Sequence, residues 1–172
     1  MSKKKILFSI SYYTPYVSGL TICAQRVAEN LVIDNQVEIL CMRHDTNLLE
    51  HENNIWRANP LFRIGKGFIS FDWVIKSWKL VRDVDVVVIN LPQFEGFITA
   101  ILAWIFNKKI VAIVHCEVTM KNKLIQLILD KANILSMMLS NNIVVYTMDY
   151  AENSRWIKYF RNKLVEIYPP VI

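Results

Sequence analysis

Glycine is scarce in this chain. Only Gly19, Gly65, Gly67 and Gly96 occur among 172 residues. A dinucleotide-binding fingerprint and a P-loop both need a tighter set of glycines or a Gly-Lys-Ser/Thr ending, and neither is present. Cysteine is also sparse, with Cys23, Cys41 and Cys116 widely spaced and odd in number. That pattern argues against a disulfide framework or a zinc site and suits reduced, buried thiols in a cytosolic protein. Uninterrupted apolar runs fall short of the ~20 residues that a membrane helix needs. The start, Ser2-Lys3-Lys4-Lys5 before Ile6-Leu7-Phe8, lacks a sustained apolar region and a small-residue cleavage site, so it does not read as a signal peptide. No internal repeat or low-complexity tract is present. Basic residues are dispersed and no known nucleic-acid-binding motif occurs, which speaks against nucleic acid as a partner.

What remains is apolar and weakly basic. Apolar residues make up 53% and charged residues 20%, which excludes disorder. The length suits a single domain spanning 1–172 with a sizeable core. Mean hydropathy is +0.26. That apolar excess implies a missing partner domain or a membrane surface, or else an Ile/Val/Leu-rich core of the kind found in doubly wound sheets. The net charge of +5 favours anionic partners such as phosphates or acidic lipid headgroups.

Buried strands are expected at Lys5–Ser11, Gln36–Cys41, Leu61–Ile64, Val84–Asn90, Lys109–Val114, Asn142–Tyr146 and Leu164–Ile167. Gly65-Lys66-Gly67 breaks the third of these. Helices are expected at Val17–Leu31, with Ser18 as N-cap and Ile22, Val27 and Leu31 among its core contacts, and at Phe94–Phe106, Leu124–Leu139 and Tyr150–Phe160. Phe71, Val74, Ile75, Trp78 and Val81 follow helical spacing and predict another core-facing stripe. Arg43–Asn59 reads as polar and irregular. Strands alternating with helices predict an α/β fold: a Rossmann-like, doubly wound, mainly parallel sheet with helices on both faces.

In such a sheet, ligands sit beyond the carboxyl ends of the strands. The turn Tyr12-Tyr13-Thr14-Pro15-Tyr16-Val17-Ser18-Gly19 follows the first strand. A glycine opening the next helix lets a phosphate approach exposed backbone N–H groups, and the helix dipole adds ~0.3–1 kcal/mol for a negative charge. The competing reading is that Gly19 only permits the turn and Ser18 only caps. His115 closes the fifth strand and can exchange hydrogen bonds near neutral pH, or it is a satisfied, partly buried imidazole. Cys116 and Glu117 follow it. Adjacent residues on an extended segment face opposite ways, which disfavours Cys116 as a nucleophile paired with His115. Asn90 and Gln93, after the fourth strand, can hydrogen-bond hydroxyls. Glu95 caps a helix or meets a polar acceptor. Thr147 and Asp149 lie at the same edge and either cap a helix or border the site. Asp83-Val84-Asp85 imitates an Asp-x-Asp metal motif but falls at the opposite sheet edge. Lys121 and Lys123 precede an apolar helix, against the dipole. They are either solvated or turned to anionic lipid.

The ordered set resembles the N-terminal domain of GT-B-fold glycosyltransferases of family 4, the group 1 transferases. It comprises Lys5–Ser11 with Tyr13-Thr14-Pro15 and Ser18-Gly19, then Asp85–Asn90, Ile110–His115, Ile143–Thr147 and Val165-Glu166-Ile167-Tyr168-Pro169-Pro170-Val171. The resemblance covers essentially the whole chain. It implies one half of a GT-B fold, with Ser18 and Gly19 at the diphosphate of a nucleotide-sugar donor and His115 as the catalytic-cleft histidine near the transferred sugar. Tyr13, Asn90, Gln93 and Glu117 would lie on the acceptor side, with Thr147 and Asp149 as second-tier candidates at the same edge as His115. It implies retention of configuration, no metal ion and no cofactor beyond the nucleotide-sugar substrate. The acceptor would be a glycan or a lipid-linked glycan. The location would be cytoplasmic, with possible peripheral contact to an anionic membrane. The family often has paired glycines where this chain has Ser18-Gly19, and serine where it has Thr147. A C-terminal nucleotide-sugar-binding domain is expected to be supplied elsewhere, by further chain or by a partner subunit, so 1–172 alone is expected to be inactive. Two alternatives remain: a GT-B-fold nucleotide-sugar epimerase domain, and a non-catalytic, membrane-recruiting subunit of a split transferase.

Overall fold

The computed structural model describes residues 3–64 and 67–170. Ser2, Gly65, Lys66, Val171 and Ile172, on which parts of the sequence reading fell, lie outside the described residues. In order, the elements are β1 (Lys5–Ser9), α1 (Gly19–Asp34), β2 (Gln36–Met42), β3 (His51–Glu52), β4 (Ile55–Ala58), β5 (Phe62–Ile64), β6 (Gly67–Ile69) and α2 (Phe71–Asp83). Then follow β7 (Val86–Leu91), α3 (Gly96–Ile105), β8 (Lys109–Val114), α4 (Lys123–Leu139), β9 (Asn142–Val145), α5 (Met148–Asn153), a 3-10 segment (Ile157–Lys163) and β10 (Leu164–Glu166).

Eight strands form one sheet in the order β10-β9-β8-β7-β1-β2-β4-β3, and β5 pairs with β6 separately. Every pairing in the large sheet is parallel except β3 with β4. The chain leaves β1 in one direction to β2 and later returns to its other side at β7. Right-handed crossovers running in opposite directions place helices on opposite faces. The division is uneven. Among the described helices, α1 alone packs its Ala24 and Ala28 on the face of Ile6, Phe8, Ile39, Val88 and Ile113. The face of Leu7, Leu40, Val87, Ile89 and Ala112 takes side chains from α2, α3, α4 and α5.

Several local expectations give way to tertiary packing. The stretch read as irregular contains the hairpin of β3 and β4, turned at Asn53, whose φ of 53° is left-handed. The predicted helix Tyr150–Phe160 is two pieces, because the backbone at Ser154 is extended and ends α5. On α1 the buried residues are Thr21, Ala24 and Ala28, while Ile22 is turned outward. Small side chains let that helix sit close to the sheet. On α2 the buried residues are Trp73, Ser77 and Val81. Four of the five residues in the predicted core stripe, Phe71, Val74, Ile75 and Trp78, face solvent. Trp73 and Ser77 bury their polar atoms by sharing Thr99 on α3: Trp73 Nε1 donates to Thr99 Oγ1 at 3.1 Å, and the Ser77 hydroxyl lies 3.0 Å from the same oxygen. Among the described residues, no helix is long and apolar enough to cross a membrane.

Gly96 shows how tightly α3 sits on the sheet. A Cβ there would lie 2.9 Å from Ile89 Cγ2 and 3.3 Å from Gln93 Oε1. Both neighbours are themselves buried, so helix and strand would have to separate. Gly96→Ala is therefore expected to lower stability by about 1–3 kcal/mol in denaturant unfolding, despite alanine's better helix propensity.

Candidate functional site

The strand order reverses beside β1, and the loops after β1 and β7 diverge there to form a crevice. Ser9 Oγ donates to Gln93 Oε1 at 3.2 Å, and Ser11 Oγ to Glu95 Oε2 at 3.2 Å. These bonds tie the two loops together beneath the crevice. Above them opens a cavity of about 270 Å³, lined by Ser11, Tyr12, Tyr16, Ser18, Thr21, Pro92, Phe94 and Cys116 among others. Both loops carry a cis proline, at Thr14-Pro15 and Leu91-Pro92.

The amino end of α1 faces this cavity. Ser18 and Thr21 form a reciprocal cap: Thr21 N donates to Ser18 Oγ at 3.2 Å, and Ser18 N to Thr21 Oγ1 at 2.7 Å. Gly19 is the first helical residue. A Cβ at Gly19 would meet nothing within 4 Å, and its backbone is not in the left-handed region. Neither the turn nor the packing of this chain requires glycine there. The reading of Gly19 as a purely structural residue therefore lacks support, and its exposed backbone stays open to an approaching group.

His115, at the tip of β8, is held from both sides. Asn90 Nδ2 donates to the carbonyl of Ser9 at 3.0 Å, which turns Asn90 Oδ1 towards His115 Nε2 at 2.9 Å. An amide oxygen only accepts, so Nε2 carries the ring proton and Nδ1 is the acceptor. Tyr146 Oη donates to Nδ1 at 2.6 Å, and Cys23 Sγ lies 2.9 Å from the same hydroxyl, to which it donates. A single oriented series thus runs from α1 through β9, β8 and β7 to β1. Burial pushes the His115 pKa down to about 4, and burial followed by Cys23 raises that of Tyr146. The ring is neutral at physiological pH.

The pH dependence follows in sign. Between pH 6.5 and about 4, an unfolded His115 takes up a proton that the folded one refuses. Stability present above that window falls as the solution is acidified through it, by roughly 3 kcal/mol at the bottom. Denaturant unfolding from pH 7 to 4 should therefore be less pH-dependent in His115→Gln than in the parent chain. Parallel curves would place the titration elsewhere.

The sequence candidates divide into those at the crevice and those away from it. Ser18 lines the cavity directly, and Gly19 and His115 adjoin it through Ser18 and Cys116. Asn90 and Gln93 are each 1% exposed, and both are engaged with the walls of the crevice. Both side chains thus support the crevice walls. His115 likewise has both ring nitrogens engaged, by Asn90 and Tyr146, as the satisfied, partly buried imidazole weighed from the sequence would. Tyr13 is buried in the α1-side core, where burial raises its pKa to about 12, and it is not among the residues lining the cavity. Tyr12 and Tyr16 line the cavity instead, stacked at 4.5 Å, with His44 edge-on to Tyr16 at 5.4 Å. The alternation of side chains along an extended segment decides which tyrosine turns inward. Glu117 points away, its carboxylate accepting from the Arg155 backbone at 3.0 Å and side chain at 3.2 Å. Thr147 caps α5 by accepting from Tyr150 N at 3.2 Å, and Asp149 accepts from Asn153. Glu95 makes no side-chain cap. Cys116 is exposed rather than buried. Asp85 lies at the opposite sheet edge, accepting from Lys5 N at 2.9 Å. Among the described residues, no three His, Cys, Asp or Glu side chains gather as metal ligands would.

Tyr12, Tyr16, Tyr146 and Cys23 are the residues that sequence reasoning missed. The tyrosines occupy strand-end loops at the ligand edge, which was a usable signal. Cys23 meets Tyr146 across 123 positions of chain, and no local pattern announces that pairing.

No protein-family model and no curated protein matches the sequence. Solved structures do match the fold. HepE from Anabaena, determined with UDP-glucose, superposes with a TM-score of 0.70 at 15% identity, covering 98% of this chain and 44% of that one. The UDP-GlcNAc 2-epimerase from Methanocaldococcus jannaschii gives 0.63 at 14%, covering 96% and 45%. An alpha-glucosyltransferase in complex with UDP and a DNA containing an HMU base gives 0.62 at 13%, covering 99% and 43%. This chain spans less than half the length of each. The fold is thus the Rossmann-like α/β half of a GT-B architecture.

Proposed function

We propose that this chain is the acceptor-side half of a glycosyltransferase that moves a sugar from a nucleotide-sugar donor to a glycan or lipid-linked acceptor. The observation that carries the reading is the unfilled space over Gly19, at the amino end of a 16-residue helix beside the switch-point cavity. A donor diphosphate placed there meets unpaired N–H groups and the positive end of the helix dipole, which favour the charge that grows on a leaving group. The neutral, immobilised His115 fixes the floor of the cleft, and its role is to position rather than to carry a proton. Ser11, Tyr12 and Tyr16 line the space an acceptor would enter. The UDP-glucose, UDP-GlcNAc and UDP named for the structurally similar proteins support the donor class. A second half, in the same gene product or a partner, would supply the rest of the donor site, and no metal or other cofactor enters the reading. Cytoplasmic location, with peripheral membrane contact, is part of the same proposal.

An epimerase half is the second reading, because UDP-GlcNAc 2-epimerases share the fold at comparable similarity. Product analysis of the intact gene product, or of the chain with its complementing subunit, separates the two. UDP-glucose and UDP-GlcNAc are supplied with and without glycan and glycolipid acceptors. Glycosylated acceptor supports transfer. Epimerised sugar nucleotide formed without acceptor overturns it.

A further inference from the structure

A second cavity, of about 360 Å³, opens beside the first, between the amino ends of α2, α3 and α4. Its lining includes Val74, Phe94, Phe97, Ile98, Ile125 and Ile128. Phe94 belongs to both cavities and separates them. The two differ in chemistry. The switch-point cavity has the hydroxyl-bearing residues Ser11, Tyr12, Tyr16, Ser18 and Thr21 in its lining. In the second, the polar side chains are Ser70 and Glu95, and both are already used. Ser70 donates to Asn59 O at 2.6 Å and accepts from Trp73 N at 3.0 Å, while Glu95 accepts from Ser11. Both polar side chains of that lining are engaged elsewhere, so its surface suits hydrocarbon.

The rim continues the pattern. Phe71 is 72% exposed, Leu124 66% and Ile128 53%. Lys121 and Lys123 stand exposed just ahead of Ile125, and the first turn of α4 carries no acidic residue. An apolar recess joined through one aromatic side chain to a polar recess, with cations at its approach, matches one elongated amphiphile. We propose that the acceptor is lipid-linked, with its sugar in the switch-point cavity, an anionic linkage near Lys121 and Lys123, and its hydrocarbon tail beyond Phe94 among α2, α3 and α4. Naming the amphiphile as acceptor rests on the transferase reading. The tail site itself does not.

The experiment titrates the 172-residue chain with alkyl β-glucosides from methyl to nonyl, below their micelle concentrations, while observing 13C-labelled isoleucine methyl groups. Affinity is expected to rise about fourfold per added methylene beyond hexyl. Shifts should concentrate at Ile98, Ile125 and Ile128. Ile128→Glu, at an exposed position that tolerates charge, should remove the chain-length dependence, while Ile33→Glu, exposed on α1, should retain it. Length-independent binding, or length dependence that survives Ile128→Glu, overturns the proposal. So does sedimentation showing a dimer that Ile128→Glu dissociates, which would make a second copy the occupant. Vesicle binding lost in Ile128→Glu without any response to single glucosides would assign the face to a bilayer surface and also overturn it. Tail binding without sugar transfer in the product assay sinks the transferase reading and leaves the tail site. Transfer without length dependence sinks only the tail site.

Discussion

Gly19→Asp is expected to leave folding intact and to lower nucleotide-sugar turnover by about 100-fold, equivalent to roughly 3 kcal/mol. The stability half of this expectation comes from space. The glycine's Cβ direction is empty to 4 Å, its backbone suits any L-residue, and Ser18 and Thr21 cap the helix independently of it. An aspartate in the first helical turn is itself favourable to the dipole, so the variant should unfold within about 0.5 kcal/mol of the parent. The activity half comes from charge. A carboxylate in the space where a diphosphate would sit repels it and covers the N–H groups that would bind it. Kinetics of the intact gene product, beside denaturant unfolding of the chain, read the two halves separately. A variant as active as the parent removes Gly19 from the donor site. A variant that loses activity and stability together makes Gly19 structural after all.

Asn90→Leu should show the opposite pattern, with a loss of about 2–4 kcal/mol in unfolding free energy. Asn90 is 1% exposed and serves two buried partners, the Ser9 carbonyl and His115 Nε2–H. Leucine of similar volume leaves both unpaired, and each such group costs about 1–3 kcal/mol. That is a large fraction of a domain's total stability. Asn90→Asp discriminates further. Its carboxylate still accepts from His115 and brings a negative charge close to the ring, so the imidazole pKa should rise well above about 4. Histidine NMR titration checks both the Nε2–H tautomer of the parent and this rise. A parent ring protonated on Nδ1 would refute the hydrogen-bond series from Cys23 to Ser9.

Much of the fold was legible because a parallel sheet buried on both faces writes itself as short apolar runs. Lys109–Val114 was read to the residue, and Gln36–Met42 and Lys123–Leu139 to within one. Ser18 as a cap and Gly19 at a helix start were equally local, since capping involves residues only three apart. The β3–β4 hairpin was missed although Asn53-Asn54 is a turn signal, because its strands are too short to show alternation.

The sequence by itself determined the alternation of strands and helices, the edge at which Gly19 and His115 sit, and the chemical types available there. These depend on side-chain period and chain order, which are local properties. Only the tertiary structure decided which of those side chains line the crevice. Burial of Tyr13 rather than Tyr12, the capture of both His115 nitrogens, the diversion of Glu117 to Arg155 and the outward turn of Phe71 and Val74 all depend on partners distant in the chain. A hydrogen bond or an apolar contact is a property of two surfaces, and the second surface is absent from any local window of sequence.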